Sequence, residues 1–200
     1  MKRILAGLLA TAAFSSTSSA QEFSSVYTDL DAEQNCVVYD QAPDGEGDWS
    51  QLLCEGYKGY PVFLSYSDAR ESVFYGIPPE GEDQPVWESF TPFNSVGKKV
   101  EWRLMSYGGK TIPLATIHRW TVVSDLDEEM EVLVVEKVGQ PQAREGCAVG
   151  YVAATGNENA NEAARRIADN QVFDFACGAD QPVVEFGEIP VPPMTGFGDQ

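Results

Sequence analysis

The chain has 200 residues, of which 31 are acidic and 13 basic, for a formal net charge of −18. That sign repels phosphate backbones and anionic lipid headgroups, so it excludes a nucleic-acid binder and disfavours attachment to a membrane surface. A chain of this size suits one domain, which buries roughly 70% of the surface its unfolded form exposes and needs no metal to hold a core.

Lys2 and Arg3 precede an apolar run from Ile4 to Phe14, and Ser18 and Ala20 occupy small-residue positions before Gln21. This is the pattern of a secretory signal peptide over residues 1–20. The run is shorter than the ~20 apolar residues a bilayer span takes. Residue 21 is not the Cys of a lipoprotein, and no later segment has the uninterrupted apolar length of a membrane helix. The expectation is a periplasmic or secreted chain. Losing Lys2 and Arg3 leaves 11 basic residues against 31 acidic ones and takes the net charge to −20.

Cysteines at 36, 54, 147 and 177 make an even count, which in an exported chain reads as two disulfides. Three pairings are open. Cys36–Cys54 and Cys147–Cys177 are favoured because each brackets a short local unit. Such loops contribute roughly 3 to 4 kcal/mol each in the chain-entropy account. There is no C-x-x-C pair and no tightly spaced Cys/His set for zinc.

In chain order, Gln21 to Asn35 reads as an acidic leader into Cys36. Cys36–Tyr39 and Trp49–Cys54 read as a hairpin across the acidic turn Pro43 to Asp48. Gly56 to Pro61 is a Gly/Tyr turn, followed by strands at Val62–Tyr66 and Ser72–Tyr75, with Asp68 and Arg70 placed to pair. Ile77 to Pro85 is too rich in Pro, Gly and acid for an element. Val100–Met105 alternates, with Val100, Trp102 and Leu104 on one face. A Gly108-Gly109 turn then leads into Ile112–Val123, and after the acidic turn 124–131 comes Val132–Val138. Short connections make these three strands a meander. Cys147–Ala153 is a small-residue strand.

Asn157–Asn170 reads as a helix, with Asn157 or Asn159 as N-cap and Arg165 and Arg166 toward its C-terminal end. Its apolar stripe is Ala160, Ala163, Ala164, Ile167 and Ala168. From residue 188 the Pro/Gly-rich end reads as a flexible tail. The fold class is mainly β (α+β): an antiparallel β-sandwich or partly open barrel over residues 21–187, with one helix near the C-terminus. The helix follows the strands, so a parallel βαβ arrangement is not expected.

Motifs that carry chemistry are few. His118, the only histidine, lies on a strand face with Thr116 and Trp120 and is the one candidate for general-base catalysis. No G-x-S-x-G, S-x-x-K or H-E-x-x-H occurs. A carboxylate pair for glycoside hydrolysis cannot be picked out of 31 acidic residues. Asp29 to Asn35, Asp44 to Asp48 and Asp125 to Asp127 alternate oxygen-bearing side chains, but none matches a complete calcium loop, so they read as solvated acidic turns and no metal site or cofactor is assigned. Tyr57, Tyr60 and Trp87 fall in turns and loops, where aromatic residues serve as binding anchors. Trp102 and Trp120 read as core.

Tyr27 to Asp31, Gly56 to Pro61, Lys99 to Leu104 and Asn159 to Arg165 together resemble segments of a group of small exported bacterial proteins with two disulfides and no known activity. The resemblance implies a bacterial envelope setting and no reaction. The functional expectation is a non-enzymatic binding module of the envelope, with a cationic protein or envelope component as partner. One form of it is an inhibitor of a cationic hydrolase such as lysozyme. The alternative is an envelope hydrolase using His118 or a carboxylate pair.

Overall fold

The computed structural model describes residues 21–81, 87–123, 128–187 and 190–195. Residues 1–20, expected from the sequence to be a signal peptide, and the Asp125–Asp127 run lie outside these residues. Within them the chain forms β1 (Glu22–Asp29), β2 (Cys36–Gln41), β3 (Trp49–Tyr57), β4 (Tyr60–Ser67), β5 (Arg70–Tyr75), β6 (Ser89–Phe90), β7 (Asn94–Tyr107), β8 (Lys110–Val123), β9 (Glu129–Lys137), β10 (Ala148–Ala153), α1 (Ala160–Gln171), β11 (Val183–Glu185) and β12 (Met194–Thr195).

Two sheets pack face to face and do not close into a barrel. The larger has the order β1-β7-β8-β9-β10-β11 and the smaller β2-β3-β4-β5. Alternation along β7 and β8 assigns the layers. Val100, Trp102, Trp120 and Val122 point between the sheets, where they meet Leu52, Leu64, Val73 and Tyr75. Ala115 and Ile117 point the other way, onto α1. The larger sheet is therefore covered on both faces along β8 to β10, and all six residues of β10 are buried.

The helix approaches closely because both surfaces are small. Its buried stripe is Ala160, Ala163, Ala164, Ile167 and Ala168, as the 3.6-residue period predicts. Opposite it, Gly150 of β10 leaves room that any side chain would take from Ile167. Both predicted disulfides are present, Cys36–Cys54 and Cys147–Cys177. The second ties the start of β10 to the segment that follows α1.

Four features depart from the sequence-based expectations. β1 is a full strand, antiparallel to β7 from Glu22↔Ser106 to Asp29↔Lys99. The chain after the helix returns as β11, parallel to β10, so β10-α1-β11 is a βαβ unit at the sheet edge. Part of the expected tail is docked: β12 pairs with β6, and the Thr91 amide donates to the Pro193 carbonyl at 2.9 Å. Finally, α1 starts at Ala160, and neither asparagine caps it through its side chain: Asn159 makes no cap bond, while Asn157 accepts from the Asn159 amide at 3.0 Å.

Arg165 and Arg166 sit mid-helix, with no basic residue in the last turn. They serve packing across elements rather than the helix dipole. Arg165 forms a two-pronged pair with Glu101 of β7 (2.6 and 3.0 Å), and Arg166 pairs with Glu185 of β11 (2.7 Å). Arg103 clamps Asp169 in the same way, at 2.7 Å through both nitrogens. Burial opposes ionisation of Glu101, but hydrogen bonds from Arg165, Ser25 and Tyr27 outweigh it and hold the carboxyl below its ordinary value. Such forked, partly dry pairs orient the helix on the sheet.

Candidate functional site

The exposed apolar surface of the smaller sheet is concentrated at one corner. Val37 is 62% exposed, Val38 53% and Tyr39 44%, and Leu53 on the neighbouring strand is 36% exposed. The register Val37↔Leu53↔Phe63↔Phe74 places Val37 and Leu53 in one row across the outer face, while Val38 pairs with Leu52 on the other face. The row is graded. Phe74 is buried and packs edge-on to Phe63 at 6.3 Å, whereas Val37 at the far end stands in solvent. Beside it lies a cavity of about 660 Å³, lined by Asn35, Val37, Leu53, Glu55, Tyr60 and Pro61 among others. The Cys36–Cys54 disulfide forms part of its wall, which fixes β2 to β3 at this point.

The corner is also strongly acidic. Residues 30–57 hold seven carboxylates, at Asp31, Glu33, Asp40, Asp44, Glu46, Asp48 and Glu55, and no Lys or Arg. All but Asp31 are exposed. Asp31 is used locally: it accepts from the Glu33 amide at 3.1 Å and the Gln34 amide nitrogen at 3.0 Å, and it stands 3.9 Å from Lys98. Asp48 accepts from the Tyr66 hydroxyl at 3.0 Å. Among the described residues no group of three or more His, Cys, Asp or Glu side chains is arranged to hold a metal ion.

The three aromatic residues singled out from the sequence do not sit together. Tyr57 and Tyr60 flank the two-residue turn of the β3–β4 hairpin, as Tyr57↔Tyr60. Tyr57 is half-buried against Trp102 at 6.1 Å, with Lys58 Nζ over its ring at 5.1 Å. Tyr60 lines the cavity and donates to Gln140 Oε1 at 3.0 Å. Trp87 lies in the segment beside β5, where the following residue, Glu88, bonds Ser72. Of the three, Tyr60 is the one that lines the cavity, and sequence reading did not single out Val37, Val38 and Leu53. The available signal was a Val-Val-Tyr run inside a stretch without a single cation.

His118 occupies the opposite kind of environment. It is fully buried between the sheets, and both ring nitrogens are engaged inside the protein. Nδ1 accepts from the Tyr75 hydroxyl at 2.6 Å, and Nε2–H donates to the Gly97 carbonyl at 2.5 Å. Burial pulls its pKa down to about 4 despite the Gly97 bond, so the ring is neutral. This arrangement ties β5, β7 and β8 together.

A carboxylate pair that spacing alone does not reveal lies in the same interior layer. Glu136 is 4% exposed, and burial together with the Glu88 charge pushes its pKa well up. Glu88 itself is raised to about 7 by burial, although its carboxylate accepts from the Ala148 amide at 2.9 Å. Both carboxylates also push up the Tyr151 hydroxyl, whose largest cause of shift is burial.

Comparison with protein families, with characterised proteins and with solved structures finds no match to this chain.

Proposed function

We propose that this chain is an acidic, disulfide-braced binding module that works outside the cytoplasm, by contact with a cationic protein or envelope component rather than by catalysis. The observation that carries this reading is the β2–β3 corner, where exposed apolar side chains and a large open cavity are rimmed by carboxylates from a stretch, residues 30–57, that holds no Lys or Arg. The apolar side chains supply contact area, and the carboxylates speed encounter with an oppositely charged partner. Two disulfides suit an oxidising compartment. No helix among the described residues is long and apolar enough to cross a membrane.

A concrete form of this function is inhibition of a cationic hydrolase such as lysozyme. The test is binding of the oxidised protein to a panel of cationic lysozymes at low and at high salt, with hydrolysis followed in parallel. The expected outcome is complex formation that weakens steeply with salt and slows on Asp44→Asn/Glu46→Gln/Asp48→Asn substitution. Failure to bind any cationic protein at low salt overturns the reading.

A second reading, an envelope hydrolase, has Glu88 and Glu136 in its favour, because coupled carboxylates with raised pKa values are a feature of acid–base sites. Turnover of an envelope polysaccharide that disappears in Glu136→Gln, with the fold intact, would establish it.

A further inference from the structure

We propose that the free edge of β2 is a strand-addition site, where an extended segment of a cationic polypeptide pairs with the backbone around Val38. This rests on the reading of the chain as a module for cationic partners and names how such a partner docks.

Backbone geometry supplies the template. In an antiparallel ladder, hydrogen-bonded and non-hydrogen-bonded pairs alternate. The Glu55 amide donates to the Asn35 carbonyl at 2.9 Å, so Asn35–Glu55 is a hydrogen-bonded pair. Two steps along the register, Val37–Leu53 is again hydrogen-bonded, while Cys36–Cys54 and Val38–Leu52 are not. The amides and carbonyls of Cys36 and Val38 therefore face away from β3. Among the described residues β3 is the only strand paired with β2.

Edges are commonly protected from pairing by Lys, Pro, very short length or a bulge. β2 has neither Lys nor Pro and is six residues long. The register shift between Val38 and Asp40 marks a bulge at Tyr39, which sets the limit of regular pairing just past Val38. The other open edges differ. β11 has three residues, and the exposed positions of β1 are Glu22, Ser24, Tyr27 and Asp29, mostly polar. Among the described edges, β11 exposes Val184 and β1 exposes Tyr27, but β2 combines a six-residue strand and outward backbone groups with two consecutive exposed valines, Val37 and Val38.

Charge selects the occupant. A second copy would bring the same carboxylate rim against itself, which opposes pairing of β2 with β2. A segment that alternates apolar and basic residues meets both demands. Its apolar side chains cover Val38, which shares the face of Leu52 and is still 53% exposed, and its basic ones lie on the opposite face beside Asp40 and Glu55.

The experiment uses a capped synthetic peptide of alternating Val and Lys, its Glu/Val counterpart, and a Lys/Val version N-methylated on the edge that would pair. Affinity is measured by calorimetry at low and high salt, and amide exchange at Cys36 and Val38 by NMR. The expected result is salt-sensitive binding of the Lys/Val peptide with slowed exchange at both amides. Affinity falls about tenfold or more on N-methylation and in Val38→Pro, which deletes an outward amide without removing a β2–β3 bond. Equal binding of the N-methylated peptide overturns strand addition while leaving the cationic-partner reading intact. No binding of either Lys/Val peptide or of any cationic lysozyme at low salt overturns both. Equal binding of the Glu/Val peptide overturns charge selection. A dimer dissociated by Val38→Pro makes a second copy the occupant and overturns the proposal. Should Val38→Pro fail to fold, the N-methylated peptide decides the matter alone.

Discussion

The two edges of the smaller sheet are built in opposite ways. At β5 the edge is sealed by the segment 87–94. The Glu88 amide donates to Ser72 Oγ at 3.0 Å, Ser89 Oγ to the Glu71 carbonyl at 2.6 Å, and Arg70 Nε to the Thr91 carbonyl at 2.7 Å. Asn94 completes the seal, accepting from the Glu71 amide at 3.1 Å and donating to the Pro92 carbonyl at 2.9 Å. Beyond β5, Gly76 and Gly139 meet as a parallel bridge that joins the two sheets. At β2 none of this occurs: among the described residues its one strand partner is β3, and its valines face water. The contrast separates two tasks. Cohesion between the sheets is concentrated at β5, which leaves β2 free to carry surface chemistry at little cost to the fold.

The largest effect that would sharpen this contrast is at the glycine bridge. A Cβ on Gly139 would overlap the Ile77 carbonyl and press on the Phe74 ring, both fixed by packing. Gly139→Val should destabilise by about 3 kcal/mol or more, read as a lowered midpoint in urea unfolding. A midpoint within error of wild type would mean that the sheets are not held together there.

Removing the disulfides tests the same division. Cys36→Ser/Cys54→Ser and Cys147→Ser/Cys177→Ser should each cost roughly 3 kcal/mol. Hydrogen exchange should show where the loss falls: confined to β2 and its turn in the first double variant, and spread over β10 and α1 in the second.

The closed edge should also carry the pH dependence of stability. Glu88 has a folded pKa of about 7, above its ordinary 4.5, so the folded state holds that proton more tightly than the unfolded one. Its contribution falls as pH rises from 4.5 to 7, by about 3 kcal/mol in all. His118 runs the other way. With a folded pKa of about 4 against 6.5, it destabilises as pH falls from 6.5 to 4, by a similar amount. The two slopes oppose each other between pH 4.5 and 6.5, and above that the carboxylates act alone. Glu88→Gln keeps an acceptor for the Ala148 amide and removes one slope. Its stability relative to wild type should rise by about 3 kcal/mol between pH 4.5 and 7. A difference that is flat with pH would mean that Glu88 is not held dry beside Glu136.

Much of this architecture was legible from period and punctuation, and the limits were physical. The meander of β7, β8 and β9, the hairpin turn at Gly108-Gly109, both disulfides and the alanine stripe of α1 depend on spacing within one segment, which the sequence displays directly. β1 is different. Its Ser24, Ser25 and Thr28 give no apolar alternation, and it exists because β7 offers an edge some eighty residues later. β11 is three residues long and acquires its meaning only by lying parallel to β10. Val37-Val38-Tyr39 has the composition of a buried strand, and nothing in those residues announces that, among the described residues, a strand lies on one side of them alone. Glu88 and Glu136 were two among many carboxylates until β9 and the segment at β5 brought them into one interior layer. His118 could be placed on the Thr116/Trp120 face, but its bonds to Tyr75 and Gly97 required the packing of both sheets.

A smaller effect is expected at Asn94, whose side chain is buried within the seal. Asn94→Ala leaves the Glu71 amide and the Pro92 carbonyl without this partner, and should cost about 2 kcal/mol. The β4–β5 hairpin and β6 should then exchange amide protons faster, while β2 is unchanged. Equal loosening of both edges would show the sheet to be one cooperative unit and remove the distinction between them.

The smallest effect is expected at the open edge and is the most discriminating. Val37 is already largely in solvent, so Val37→Lys removes little buried apolar area, and surface substitutions of this kind change stability by less than about 0.5 kcal/mol. The new ammonium group stands among Asp40, Glu55 and the other carboxylates of the rim, where it is electrostatically welcome to the fold. It is unwelcome to a cationic partner, because it places like charge at the centre of the contact. Thermal unfolding should therefore be unchanged while binding of a cationic protein weakens and loses part of its salt dependence. A large loss of stability would mean that Val37 is covered in the native protein by something other than solvent. Unchanged binding would move the contact away from β2, to another part of the acidic surface.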